Sequence, residues 1–269
     1  LMESIEAGGG RAHLPAVIAA LSDDDPAVAR AALSAALVIA QASDTSMAEV
    51  LANQEGQEVG INSTDISALR LRIGEAEADA TLLSTLKSPL AKPEARLRAA
   101  LALAEAGRLP GPALRQTLEE TMRTGVMRPA LRRETLVRLA ILGEPEVLKQ
   151  LSTAASEKTN EQHSEALAIL AIAQQPGSFD RLHEAAVWVR GAERLPLAEA
   201  LATAGDPRAA RLLKPFVKEP EPKVRQRAVA ALGRLASSGQ LPGHVALFEP
   251  LLADADPKVA MLATVGLVQ

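Results

Sequence analysis

The chain has 269 residues, 48% of them hydrophobic and only 1% aromatic, so a substantial core must be built almost wholly from Ala, Leu, Val and Ile, the first two being strong helix formers. It has no cysteine, which excludes disulfides, thiolate nucleophiles and sulfur-bound zinc. The net charge of −4 argues against wholesale nucleic-acid binding, but the charge is uneven: residues 81–143 carry eleven basic against five acidic side chains, whereas residues 1–80 carry four against thirteen and residues 144–269 carry fourteen against fifteen.

The opening "LMESIEAGGGRAHL" lacks the basic start and apolar centre of a signal peptide. Its "AGGGR" at 7–11 follows no strand, so it reads as a helix stop rather than a phosphate loop. Helical periodicity starts at "LPAVIAALS" and resumes in "DPAVARAALSAAL" from Pro26. Next come "SMAEVLANQ" and a segment anchored at Ser63, separated by the irregular stretch "NQEGQEVGINSTDIS" at 53–67, which is either a tolerated insertion or a contact element. "ADATLLSTLK" then precedes "KPEARLRAALAL" from Pro93, and "PALRQTLEETM" precedes "RPALRRETLVRL" from Pro129. "PEVLKQLSTAA" and "SFDRLHEAAVWV" precede weaker copies anchored at Asn160 and Arg194. Finally "DPRAARLLKPFV" leads into "EPKVRQRAVAALGRL" from Pro222, and "LPGHVALFEPLL" into "DPKVAMLATVGL" from Pro257. No window alternates with period two over the length of a strand, and each pair reads as a helical hairpin.

The eight anchors, at 26, 63, 93, 129, 160, 194, 222 and 257, recur with a mean spacing of 33 residues. The strong copies share a template: an anchor proline, a branched or small apolar residue two later, often Arg three later, a small residue six later and Leu ten later. In the copy at Pro222 these are Val224, Arg225, Ala228 and Leu232, and Leu235, Val229 and Ala231 widen the apolar face. So broad a face suits a helix held between neighbouring hairpins. Gly107, Gly143 and Gly205 mark the ends of second helices, and Gly233 lies at or just inside one. The expectation is an all-α, α-α superhelix (α-solenoid) of about eight hairpins forming a single unit over 1–269.

The "DPxVRxxAxxAL" pattern, seen as "EPKVRQRAVAAL" and more loosely as "DPKVAMLATVGL" and "DPAVARAALSAAL", resembles the HEAT repeat in its short bacterial form, also called PBS-lyase-like. The resemblance extends over nearly the whole chain and specifies fold better than activity. It implies that an acid before the proline caps the second helix, with Asp24, Asp25, Glu221 and Asp256 as candidates, and that an arginine such as Arg225 pairs with an acid of a neighbouring repeat. On that view Arg225 and Asp256 are structural ladder residues. The other reading places arginines of this register on the concave surface.

The arginine register is filled in three successive units by Arg96, Arg132 and His163, and Arg98, Arg128, Arg133 and Arg138 add charge to the same region. Such a stripe suits an acidic peptide, an acidic protein face or a phosphate, with Glu134 and Glu165 close enough to neutralise part of it. The His183-Glu184 pair is similar to the paired ligands of HEAT-like di-iron hydroxylases, but the four histidines fall on different units and only one such pair occurs, so no metal and no other cofactor is expected. HEAT-like DNA-repair glycosylases depend on a basic groove with aromatics, which this composition does not supply. The sequence therefore points to a non-catalytic protein-binding scaffold or adaptor, with no nucleic-acid partner and no membrane insertion. The contrasting reading is a subunit of a phycobilin-lyase-like enzyme that attaches chromophores. A cytoplasmic setting is favoured, and the start at Leu1 and the end within an apolar run read as cuts in a longer chain.

Overall fold

The structure is a computed structural model that describes residues 14–23, 26–40, 44, 47, 50–51, 63–125, 127–157 and 162–268. The glycine stretch at 7–11, His13, Asp24, Asp25, the Asn160 anchor and most of the 53–67 insertion lie outside the described residues.

In chain order the α-helices are α1 Leu14–Leu21, α2 Pro26–Ile39, α3 Ser63–Ile73, α4 Ala76–Lys87, α5 Pro93–Glu105, α6 Gly111–Arg123, α7 Pro129–Ile141, α8 Pro145–Ser156, α9 His163–Ile172, α10 Ser178–Trp188, α11 Arg194–Thr203, α12 Ala209–Leu213, α13 Pro222–Ser237, α14 His244–Phe248 and α15 Pro257–Val268. The anchors at 26, 63, 93, 129, 194, 222 and 257 are each the first residue of a second helix. Five of these are prolines, which fit there because the first-turn N–H has no intrahelical acceptor and the ring presets φ.

Two of the first helices differ from the expected continuous segments. "DPRAARLLKPFV" forms the short α12 and then a 3₁₀ turn over Lys214–Lys218, and "LPGHVALFEPLL" forms α14 and a 3₁₀ turn over Glu249–Ala253. The cause is Pro215 and Pro250, each of which removes an amide donor and crowds the carbonyl four residues back, tightening the remaining turn.

Contacts gather the chain into two compact units, residues 11–144 and 145–269. In the first, α2, α3, α5 and α7 pack in succession, each second helix on the next, while α4 packs on α3 and α5 and α6 packs on α5 and α7. In the second, α9, α11, α13 and α15 follow one another in the same way, with α10 against α9 and α11, α12 against α11 and α13, and α14 against α15. This neighbour-only, all-α packing is that of an α-solenoid. Leu82, Ala99 and Leu103 form a fully buried cluster in the first unit, closed by Leu71, Leu83, Leu86 and Leu109. A leucine buried in this way contributes about 1.5–3 kcal/mol. Thr135 occupies the small-residue position of its repeat, where its buried hydroxyl donates to the Leu131 carbonyl at 2.8 Å and needs no other partner.

The second helices end alike. After α5, α7, α11 and α13, Gly107, Gly143, Gly205 and Gly239 take positive φ, and the following amide returns to a carbonyl inside the helix, as in the 2.7 Å bond from Arg108 N–H to Leu103 O. Gly233 lies inside α13 and is buried. After α9 the same position is Gln174, with φ 54° and its side chain exposed. A left-handed non-glycine residue is strained, so Gln174→Gly is expected to stabilise the protein by about 0.5–1 kcal/mol. Chemical denaturation of the two proteins reads this directly, and a loss of stability would contradict it.

Candidate functional site

In the first unit, α3, α5 and α7 bury one face each and carry a second, half-buried to exposed face at i, i+3/4, i+7 spacing. On α3 that face is Asp65, Ala68 and Arg72; on α5 it is Arg98, Ala102 and Glu105; on α7 it is Glu134 and Arg138. The residues align as two rows running from helix to helix. One row is Asp65, Arg98 and Glu134, in the order negative, positive, negative, and the other is Arg72, Glu105 and Arg138, in the opposite order.

The rows are fastened from within. Arg98 donates from one Nη1 to both oxygens of Asp65 at 2.6 and 2.7 Å, bridging α5 to α3. Arg138 donates from Nη2 to the carbonyls of Ala104 and Glu105 at 2.8 and 3.0 Å, closing the C-terminus of α5. Arg72 does the same for α2, donating from Nε to Ala40 O at 3.2 Å and from Nη1 to Leu37 O. The last carbonyls of a helix have no intrahelical donor and form the negative end of its dipole, so a guanidinium satisfies both needs. Glu134 reaches the surface, yet its carboxyl is held above the ordinary carboxylate value, first by partial desolvation and next by the charge of Glu105, with Arg98 pulling the other way. Here lies a groove of about 380 Å³ lined by apolar Leu37, Ala68, Leu71, Ala102 and Ala106 and by Arg72, Glu105 and Arg138.

The residues singled out from sequence divide by register. Arg98 and Arg138 lie on this open face. Arg96 points another way, toward α6, where Nη1 stands 4.0 Å from Glu120. Its register is occupied by buried Ala29, Ile66 and Leu197 in other units, so it faces the neighbouring hairpin rather than an open surface. Arg132 shares this register and is half-buried, whereas Arg133 is exposed. His163 belongs to the second unit, at the start of α9, with Nδ1 buried. His163 thus lies in a different unit from Arg96 and Arg132, and the face described above carries Arg98 and Arg138 with Asp65, Arg72, Glu105 and Glu134. The signal lay in positions five and nine after the anchor, where Arg98, Glu134, Arg72 and Arg138 recur.

In the second unit Arg225 ties hairpins together. Its Nε and Nη2 donate to the two oxygens of Asp254 at 2.9 and 2.8 Å, and Nη1 donates to the carbonyls of Glu219 and Pro220, both at 2.9 Å. The partner is Asp254 rather than Asp256. Asp256 instead caps α15, accepting from the amides of Lys258 and Val259 at 3.0 Å, and takes a bond from Gln226 at 3.0 Å. The Arg225 hydrogen bonds hold the Asp254 carboxyl below its ordinary value. Glu221 precedes α13 with no side-chain capping bond. His183 sits near the Asp206–Arg208 pair, and among the described residues no cluster of three or more His, Cys, Asp or Glu could hold a metal ion. Among the described residues no helix is long and apolar enough to cross a membrane.

Residues 191–267 match the family model of HEAT repeats. No curated protein matches the sequence. Among solved structures, one crystal structure of an engineered protein is 18% identical, covering 71% of this chain and 95% of its own, with a TM-score of 0.39. A second engineered protein is 16% identical, covering 98% of this chain and 82% of its own, with a TM-score of 0.38.

Proposed function

Taking residues 191–267 as HEAT repeats and the earlier hairpins as units of the same plan, we propose that the protein is a non-catalytic scaffold or adaptor that binds a protein partner through the open face of its second helices. The observation that carries this reading is the pair of charge rows on α3, α5 and α7. Internal bonds fix Arg72, Arg98 with Asp65, and Arg138 within this alternation of sign, and such patterns set partner choice and encounter rate more than raw affinity. The arginines are pre-positioned by carbonyls and carboxylates, so binding immobilises little side-chain freedom. Arg98 and Arg138 serve within the rows and exposed Arg133 adds charge beside them, while Arg96 and Arg132 support the face from between hairpins.

Site-specific photocrosslinking in the native host tests the reading. Benzoylphenylalanine placed at Glu134, on the open face, is expected to give a discrete adduct with a partner protein. The same group at Gln116, exposed on α6 of the first-helix layer, is expected to give none. Adducts from both positions, or from Gln116 alone, would overturn it.

A further inference from the structure

The groove beside the second charge row points to a specific kind of ligand. We infer that it takes an extended peptide segment of the partner whose side chains run acidic, basic, acidic at about every third residue. This rests on the docking-face reading and deepens it.

The argument begins with unused donors. Arg72 spends Nε and one Nη on carbonyls, and Arg138 spends only Nη2. Among the described residues the other Nη groups donate no hydrogen bond, and Nε of Arg138 is buried without an acceptor. Each guanidinium is therefore locked in place with N–H groups left over, the arrangement that best receives a carboxylate. Between them stands exposed Glu105, whose side chain makes no hydrogen bond or ion pair among the described residues and which calls for a cation. The row thus reads positive, negative, positive, and its complement reads negative, positive, negative.

Spacing fixes the rest. Packed helices lie about 8–10 Å apart, so the three side chains stand on elements separated by that step. A chain in the extended polyproline II conformation advances about 3.1 Å per residue and returns every third side chain to the same edge, so one step corresponds to three residues. The apolar lining is Ala68, Ala102 and Ala106, whose methyl groups leave room for a peptide backbone, with Leu37 and Leu71, and the volume of about 380 Å³ suits a short segment.

The probe is a fluorescein-labelled Glu-Ser-Gly-Lys-Ser-Gly-Glu peptide, with two comparators: its charge reversal, Lys-Ser-Gly-Glu-Ser-Gly-Lys, and a version with serine in the central position. Anisotropy at low ionic strength on the full chain is expected to favour the first over the reversal by on the order of tenfold. It should exceed the serine version by about two- to fivefold. Glu105→Gln, an exposed change that keeps the backbone carbonyl bonded to Arg138, is expected to abolish the preference for lysine over serine, and Ala106→Glu to weaken the first probe. Equal binding of probe and reversal, no binding of the probe, or an unaltered lysine preference in Glu105→Gln overturns the inference. If these fail while crosslinking from position 134 persists, the groove is excluded and the docking face stands.

Discussion

Leu232→Ala is expected to destabilise the protein by about 2–5 kcal/mol, in the upper half of that range. Leu232 is fully buried on α13, a helix that packs on α11 before it and α15 after it. Its neighbours on the same helix are Ala228, Val229, Ala231 and Leu235, all fully buried. The cost of a large-to-small change depends on whether the surroundings collapse into the space, and of these four neighbours only Leu235 has a side chain long enough to move toward it. In a repeat array, stability is the sum of each unit and its interfaces with adjacent units, so a void at α13 weakens both contacts together. Thermal unfolding followed by circular dichroism measures the effect. An unchanged melting temperature would mean that the repeat alignment misplaces the apolar face of α13.

The helix starts were legible because proline acts locally: its ring and missing N–H dictate the first turn whatever surrounds it. Helix ends were legible at Gly107, Gly143 and Gly205 for a similar reason, and Gln174 escaped notice because a left-handed glutamine leaves no mark in composition. The 3₁₀ turns at Pro215 and Pro250 follow from the same chemistry that starts helices elsewhere, and the difference is only whether the ring falls in the first turn or beyond it. The charged face was harder to read. An arginine has a long apolar stem and a polar end, so the sequence does not say whether it turns toward the first-helix layer, as Arg96 does to Glu120, or bridges two second helices, as Arg98 does to Asp65. The carbonyls that hold Arg72 and Arg138 are backbone groups that every residue carries, and no pattern of side chains signals them. Asp254 and Asp256 present the same difficulty: both are aspartates near the same proline, and only the path of the backbone assigns one to Arg225 and the other to the cap.

At Gly266 the usual sign of a glycine-to-alanine change should reverse. A helical glycine generally costs roughly 0.5–1 kcal/mol relative to alanine, so Gly266→Ala would ordinarily stabilise α15. Here an added Cβ would lie 2.6–2.7 Å from three carbons of the Phe248 ring, closer than carbon atoms approach without displacement. Phe248 is fully buried, so the ring has no solvent to swing into. The substitution is therefore expected to cost about 1–3 kcal/mol through overpacking. Phe248→Ala, which empties the site, is expected to cost about 3–5 kcal/mol, one of the largest losses available in the chain. The two effects share one cause and so should not add. Combining Gly266→Ala with Phe248→Leu replaces a flat ring by a branched side chain that has room to move, and the double variant should be more stable than the sum of the single losses predicts. Denaturation midpoints of the four proteins close the cycle. Strict additivity would mean that the ring does not rest on Gly266, and that α14 seats against α15 by some other contact.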